Sequence, residues 1–490
     1  MALKVHERSP AVDAMAQHWP IVEALLGGTA AMRAAKTLFL PKWPNEDQES
    51  YDARVGTATL FPALARTISV MGGKPFSKQV VLSEEVPELI EEWCENADQQ
   101  GNSFHTILSD VFSECLGFGL CGILVDYGRK PVEVKTQAEE AALGLRPYMV
   151  FVRHHQVLGW KAERRDGAMV LTQLRLAECV ELPDGLYGSI YKNRVRVLEP
   201  GRFEVWQEGE RKDDDWFLVE EGTTTLDVIP FVPFYGKKLG LMQGISPLLD
   251  LAHLNVKHWQ SQSDQDTILH VARVPILAII GAEQGIPDGK GGMTQGTQLT
   301  VGAKSAVSLP LNADMKYVEH SGAAIDAGAK SLEALEAQMV TTGAELLVVK
   351  PGEAKSATQS NNEAEANKSD LQRMVENTED AADQVLQLMA MWVNEPEAGN
   401  VTLFKDFGAG SLSDASAQLV LGMQTQGLIT KETALKEMQR RGTLSPDINP
   451  EKELDKVDSE GPALGSIGTE VDPVTGEPVQ KEDPSGNEDA

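Results

Sequence analysis

Ser246-Pro-Leu-Leu-Asp-Leu-Ala-His-Leu-Asn-Val-Lys-His-Trp259 opens the stretch whose reading decides the fold. Serine followed by proline marks a helix start: the serine can cap, and proline is tolerated in the first turn, where its missing N–H has no partner to lose. Leu248, Leu251, Leu254 and Trp259 follow at helical spacing. The helix is expected to end near His270 to Val274, about 25 residues or roughly 38 Å long. Pro275–Ile280 then reads as a strand leading into a Gly-rich loop, Gly281–Gly296, with a second strand near Gln298–Leu309. Two more long helices are expected, over 323–346 and 358–392. The segment Val348-Val-Lys-Pro-Gly-Glu-Ala-Lys355 interrupts them, because Pro351-Gly352 breaks a helix.

Upstream, residues 12–40 read as largely helical, with an interruption at Gly27-Gly28, until Pro41-Lys-Trp-Pro44 ends the run. Helix is expected again from Asp47 to Val70, closed by Gly72-Gly73 and Pro75. Ser103 can cap a helix whose Ile107, Leu108, Val111 and Phe112 share one face, and Gly122-Ile-Leu-Val-Asp126 is a short buried strand. From 148 to 233 the texture is β. Tyr148–Val152, Met169–Leu176, Arg194–Leu198, Phe203–Gln207 and Trp216–Val219 read as strands, with turns at Asp166-Gly167 and Asp184-Gly185. Downstream, Ser413–Gly422 and Thr430–Arg440 make a small helical pair, and from 449 the chain turns into an acidic tail of disordered composition. The fold class is therefore α+β.

Composition restricts function. With 490 residues the chain has room for two to four domains, since single cores stop growing near about 250–300 residues. It has no run of about 18 apolar residues and no signal-like N-terminus, so neither membrane nor secretion is expected. A net charge of −29 argues against gripping nucleic acid by phosphate neutralisation; on composition alone it fits equally a charge that serves solubility and an acidic wall suited to a channel through which DNA slides. Cys94, Cys115, Cys121 and Cys179 form no C-x-x-C pair and read as free, mostly buried thiols.

Several segments imitate catalytic motifs. Gly117-Phe-Gly-Leu-Cys-Gly122 matches G-x-G-x-x-G, but helix precedes strand there, the reverse of a dinucleotide site, so tight helix–strand packing is the expectation. No G-x-x-x-x-G-K-[ST] is present, and Gly244-Ile-Ser-Pro-Leu248 lacks the second glycine of a nucleophile elbow. His154-His155, read as strand residues, should point to opposite faces. His253 and His258 are five apart, and Asp264 and Asp266 diverge on a helix. No enzyme, cofactor or metal is expected. The rival enzymatic reading is a hydrolase using His154, Asp166 and Cys179, for which no recognisable spacing exists.

The order of elements resembles the portal proteins of tailed double-stranded-DNA bacteriophages. Leu40-Pro-Lys-Trp-Pro44 with Tyr51 and Arg54 is similar to an N-terminal signature of one portal branch. Gly101-Asn-Ser-Phe104 leading to Gly122-Ile-Leu-Val-Asp126 is similar as well. So are Gly244-Ile-Ser-Pro-Leu248 continuing through Asp250, Leu251, Leu254 and Asn255 to Ser263-Asp264, and Leu335-Glu-Ala-Gln-Met339 with Gly343. The resemblance spans roughly residues 35–395. It implies a wing over 1–245, a first stem helix over 246–273, a small α/β clip over 274–320 and a second stem helix over 321–346. A tunnel loop over 347–357, a wing or channel helix over 358–395, a short helical crown over 410–448 and the tail from 449 complete it. It further implies a homo-oligomeric ring of about twelve subunits at one capsid vertex, through which DNA is packaged and ejected. The implied partners are the terminase large subunit, the major capsid or scaffolding protein, a head-completion or tail adaptor protein, and double-stranded DNA held without sequence preference. Under that resemblance Lys350, Pro351, Gly352 and Lys355 line the DNA channel, and Gly281, Gln284, Asp288 and Lys290 face the terminase. The implied location is the virion, with host cytoplasm during assembly. The alternatives are another head–tail connector or minor capsid protein, such adaptors being usually much shorter.

Overall fold

The computed structural model describes residues 3–128, 143–209, 216–272, 276–280, 314–318, 322–347, 369–405, 407, 424, 430–440, 452–454 and 456. The chain divides into two units, Met1–Lys405 and Asp406–Ala490. Among the described residues of the second, one helix spans Lys431–Arg440, its first turn held by Thr430 Oγ1 accepting from the Thr433 N–H at 3.1 Å.

The first unit mixes helix and sheet. Its N-terminal stretch, expected as helix interrupted at Gly27-Gly28, forms α1 (Pro10–Ala16), α2 (Trp19–Leu26) and α3 (Gly28–Ala35); the α2–α3 break falls at that interruption, and the break after α1 was not expected. The chain then turns through Pro41 and Pro44 into α4 (Gln48–Thr57) and α5 (Ala63–Gly73). The expected single helix over this last stretch is split because Pro62 disfavours helical backbone at Phe61. A short strand β1 (Val81–Leu82) and α6 (Glu88–Glu95) lead to α7 (Phe104–Phe118), which Ser103 caps as expected. Gly119, in the left-handed region at φ 86°, stops α7 and sends the chain straight into β2 (Leu120–Tyr127).

β2 is the centre of a three-stranded antiparallel sheet, flanked by β3 (Pro147–Val152) and by a later strand, Phe231–Tyr235. A five-stranded antiparallel meander follows: β4 (Val157–Arg165), β5 (Ala168–Asp184), β6 (Gly188–Glu199), β7 (Arg202–Glu208) and β8 (Trp216–Thr223). The turns at Asp166-Gly167 and Asp184-Gly185 fall where expected, and Asp166 and Gly167 both take positive φ. β5 and β6 are longer than their neighbours. β4 pairs with β5 only as far as Leu176, and β7 with β6 only as far as Arg194, so residues beyond Cys179↔Asn193 form a two-stranded arm turning at Gly185. Several strands escaped the sequence reading, β4 and Phe231–Tyr235 among them. β4 mixes charged and apolar residues with Gly159 inside it. The strand Phe231–Tyr235, here β9, contains Pro233, which an edge position tolerates because its missing N–H faces no partner.

A ribbon, β10 (Lys237–Gly240) with β11 (Gln243–Ile245), precedes the long helix α8 (Leu249–Ala272). Then come β12 (Ile276–Ile280) and β13 (Asp314–Val318), paired antiparallel in register, and α9 (Ala323–Ala344). The partner of the first ribbon strand is thus Asp314–Val318, later than expected. The expected strand at 298–309 lies outside the described residues. The helix α10 (Asp370–Val393) starts from a capping box of Ser369 and Gln372, packs on β2 and β9, and is followed by β14 (Val401–Thr402), which pairs with β1. The main core joins α1 and α2 to both sheets through Val12, Met15, Trp19, Leu120, Leu124, Leu174 and Leu176. Each such buried side chain contributes about 1.5–3 kcal/mol of burial free energy. Among the described residues no helix is long and apolar enough to cross a membrane.

Candidate functional site: the long-helix hairpin and its seat

α8 enters the unit through a crossing of glycines. A Cβ at Gly119 would overlap the backbone of Ile245, and one at Gly244 would overlap the Gly119 carbonyl. Ser246 does not occupy the cap of α8, which begins at Leu249. Its hydroxyl instead donates to the Leu116 carbonyl at 2.7 Å and accepts from the Leu248 N–H at 3.1 Å, tying the C-terminal end of α7 to the start of α8. The letters resembling a nucleotide fingerprint are therefore packing glycines, as the helix-then-strand order requires.

Once inside, α8 is gripped by polar side chains whose partners lie far away in sequence. Asn255 is wholly buried; its Oδ1 accepts from the Leu64 N–H at 3.0 Å and its Nδ2 donates to the Phe61 carbonyl at 2.8 Å. One amide thus satisfies the Leu64 N–H in the first turn of α5 and adds a second donor to the Phe61 carbonyl, which also accepts from Ala63. Gln260 Nε2 donates to the Phe39 carbonyl at 2.9 Å. Trp43 hydrogen-bonds to Asp264, whose carboxyl burial nevertheless pushes above the ordinary range. Arg54 organises this collar: it forks onto both Glu46 oxygens at 2.8 and 2.9 Å, donates to the Pro41 carbonyl at 2.8 Å and lies 4.1 Å from the centre of the Trp43 ring. The Tyr51 hydroxyl donates to the Leu40 carbonyl at 3.0 Å. Leu40, Trp43, Tyr51 and Arg54 are the residues that carried the N-terminal resemblance, and their role here is to clasp the long helix.

α8 and α9 run antiparallel side by side. Gly343 lies against Leu251, His258 Nε2 is 3.3 Å from Glu336 Oε1, and Gln265 Nε2 donates to the Ile325 carbonyl at 3.0 Å, with Gly328 close against the same amide. Leu332, Leu335 and Met339 supply the apolar face of α9. β12 and β13 continue this hairpin in chain order. Lys350, Pro351, Gly352 and Lys355, expected to line a DNA channel and lying between α9 and α10 in sequence, and Gly281, Gln284, Asp288 and Lys290, expected to face a terminase and lying between β12 and β13 in sequence, are all outside the described residues.

The residues of the hydrolase reading are not brought together. His154 sits in a 3-10 turn, His154–Gln156, not on a strand, because Gln156 Oε1 accepts from the Arg153 N–H at 2.8 Å and folds the chain back. Its ring is buried, stacked 3.6 Å from Phe118, with Nδ1 2.7 Å from Glu114 Oε1. Burial works to raise the Glu114 pKa, but the hydrogen bond and charge of His154, with Arg153, hold it below the ordinary range. Asp166 lies at the far end of β4, about 26 Å away by strand rise, and Cys179 lies on the exposed arm. Cys94, Cys115 and Cys121 are buried, and burial pushes the Cys94 thiol up to about 12. Among the described residues no three His, Cys, Asp or Glu side chains gather as a metal site.

Residues 247–393 match the model of a family described as a domain of unknown function, DUF4055. The matched segment runs from the entry of α8 to the end of α10. No curated protein matches the chain. Among solved structures, the chain is similar to one from the virion of a native gene transfer agent particle, at 12% identity over 78% of this chain and 89% of that one, with a TM-score of 0.41. It is also similar to chains from the neck of the native particle computed with C12 symmetry (12% identity, 76% and 88%, TM-score 0.41) and from the neck of the empty particle computed with C6 symmetry (14% identity, 78% and 90%, TM-score 0.41).

Proposed function

We propose that this chain is a portal protein of a tailed double-stranded-DNA phage, a non-enzymatic subunit of a ring of about twelve copies at one capsid vertex. The observation that carries the reading is the hairpin of α8 and α9. Two long antiparallel helices are joined through a β-ribbon, anchored at their other end in an α+β body, and followed by the third long helix α10. Its seat is built from the segments on which the sequence resemblance rests. In this reading α8 and α9 are the stem, the ribbon belongs to the clip, and the loop after α9 lines the tunnel.

The mechanism is mechanical. ATP hydrolysis belongs to the terminase, whose large subunit docks on the clip around Gly281, Gln284, Asp288 and Lys290; head-completion or tail adaptor proteins follow on the same face. The acidic chain repels the phosphate backbone and so leaves DNA free to slide. Lys350 and Lys355 supply transient phosphate contacts, two per subunit around the ring. The ring resides in the virion and assembles in host cytoplasm.

Native mass measurement with negative-stain imaging tests the reading. A ring of about twelve subunits with a central channel is the expected result; a monomer or dimer across a wide concentration range overturns it. Lys350→Ala with Lys355→Ala is expected to leave rings intact while shortening the DNA retained per capsid. Full-length packaged genomes in that variant would refute the lysine assignment alone.

A further inference from the structure

The arm formed by β5 and β6 ends in an unusual surface. Leu186 and Tyr187, at its turn, are 89% and 99% exposed, and Ile190 and Tyr191 behind them are exposed as well. Glu181 and Asp184 flank the turn on the β5 side, so the tip is both apolar and acidic. Apolar side chains projected on a bare two-stranded arm are a liability unless something covers them.

A matching hollow exists elsewhere on the unit. α1, α2, the end of α7 and the β10–β11 ribbon enclose an open pocket of about 140 Å³. Met15, Trp19, Val22 and Phe118 line it, with His18 and Gln243 among its polar members. That volume is close to the ~150 Å³ apolar cavity that accepts one benzene ring. Lys237 and Lys238 stand exposed on the ribbon that forms one wall.

We infer that Tyr187 of one copy seats its ring in this pocket of the next copy around the ring, with Glu181 and Asp184 of the arm facing Lys237 and Lys238. The inference rests on the ring reading above and names the contact that closes it. Size fits: the pocket takes one aromatic ring. Charge fits: acidic tip meets basic wall, in a protein whose net charge of −29 otherwise makes copies repel. The phenol hydroxyl meets His18 and Gln243, which gives a buried tyrosine the polar partner it needs. A copy cannot fill its own pocket. Gln156 Nε2 donates to the Ala177 carbonyl, which fixes the base of the arm beside His154, and His154 packs on Trp19 and Phe118 of the pocket wall. The seven residues from Ala177 to Asp184 carry the arm about 23 Å along the strand from its base, and Tyr187 lies beyond them. A knob and a hollow at different places on one subunit make a head-to-tail contact, the kind that closes into a ring.

The test joins Tyr187→Cys with Ala14→Cys, at the exposed pocket rim, in a Cys179→Ser background of the full chain. Mild oxidation is expected to give a ladder of covalent oligomers on a non-reducing gel, absent when either cysteine is introduced alone. Tyr187→Ala is expected to require at least about tenfold more protein to assemble, with the thermal unfolding of the unassembled subunit unchanged because the side chain is exposed there. If the double-cysteine protein assembles into rings yet yields no ladder, the arm–pocket contact is wrong and the ring reading stands. If the unmodified protein never assembles, the ring reading fails and takes this contact with it.

Discussion

Gly119→Ala is expected to destabilise the first unit by about 2–5 kcal/mol, and in a protein of ordinary marginal stability to leave much of the chain insoluble. Two costs add. An alanine at φ 86° pays about 1–2 kcal/mol for left-handed backbone. Its methyl would also overlap the main chain of Ile245, which cannot swing aside as a side chain could, and overpacking typically costs about 1–3 kcal/mol more. Gly101 separates the two terms. It has φ 98° with nothing within 4 Å of where a methyl would sit, so Gly101→Ala should carry the backbone cost alone, about 1–2 kcal/mol. Denaturant unfolding of both variants checks the argument, and equal losses would refute the packing account. Because Ile245 immediately precedes Ser246, the surviving Gly119→Ala protein should also assemble poorly: its long helix has lost its seat.

Arg54→Met is the second large effect, expected at about 2–4 kcal/mol. The guanidinium forks onto Glu46, and both side chains are only 4% exposed. Removing one member of a covered ion pair strands the other, which in deep interiors costs about 3–5 kcal/mol; the collar lies near the surface, where water screens part of that. The Pro41 carbonyl and the Trp43 ring lose a partner as well. The pH dependence carries a definite sign. The hydrogen bond from Arg54 holds the Glu46 carboxyl below its ordinary value, so Glu46 binds fewer protons folded than unfolded. Its contribution is complete above the unfolded value near about 4.3 and fades as pH falls through the lower folded one. Arg54→Met should therefore lose less stability on acidification through that window than the parent protein does. Glu46→Leu added to Arg54→Met should recover part of the loss at pH 7. A double variant no more stable than Arg54→Met would show that the stranded carboxylate is not the cause.

Long helices were the most legible part of this chain. The start of α8 is marked by Ser246-Pro247, the buried face of α9 by Leu332, Leu335 and Met339, and the turns of the meander by Asp-Gly pairs. Short elements were not. β13 is five residues, β9 carries a proline that only its edge position excuses, and the His154 turn depends on a glutamine folding back on one backbone N–H. The seat of α8 was half visible. Trp43, Tyr51 and Arg54 stood out as a motif, but nothing in their spacing says that they clasp a helix two hundred residues later. Asn255 stood in the stem-entry resemblance, but an asparagine inside a helix reads as solvated until its partners, Phe61 and Leu64, are placed beside it.

The pairing of α8 with α9 sets a limit on sliding. Along α8 the contacts fall at Leu251, His258 and Gln265, seven residues apart, and along α9 at Gly343, Glu336 and Gly328, stepping the opposite way. Seven-residue recurrence is the seam of a two-stranded coil. Slip by one turn, about 5.4 Å, would carry the Gln265 amide away from the notch at Gly328 and His258 away from Glu336. Both helices must then shift together or not at all. A push delivered at the β12–β13 end reaches the body as a displacement of the whole pair, so the hairpin behaves as a stiff rod whose axial compliance resides in its two ends.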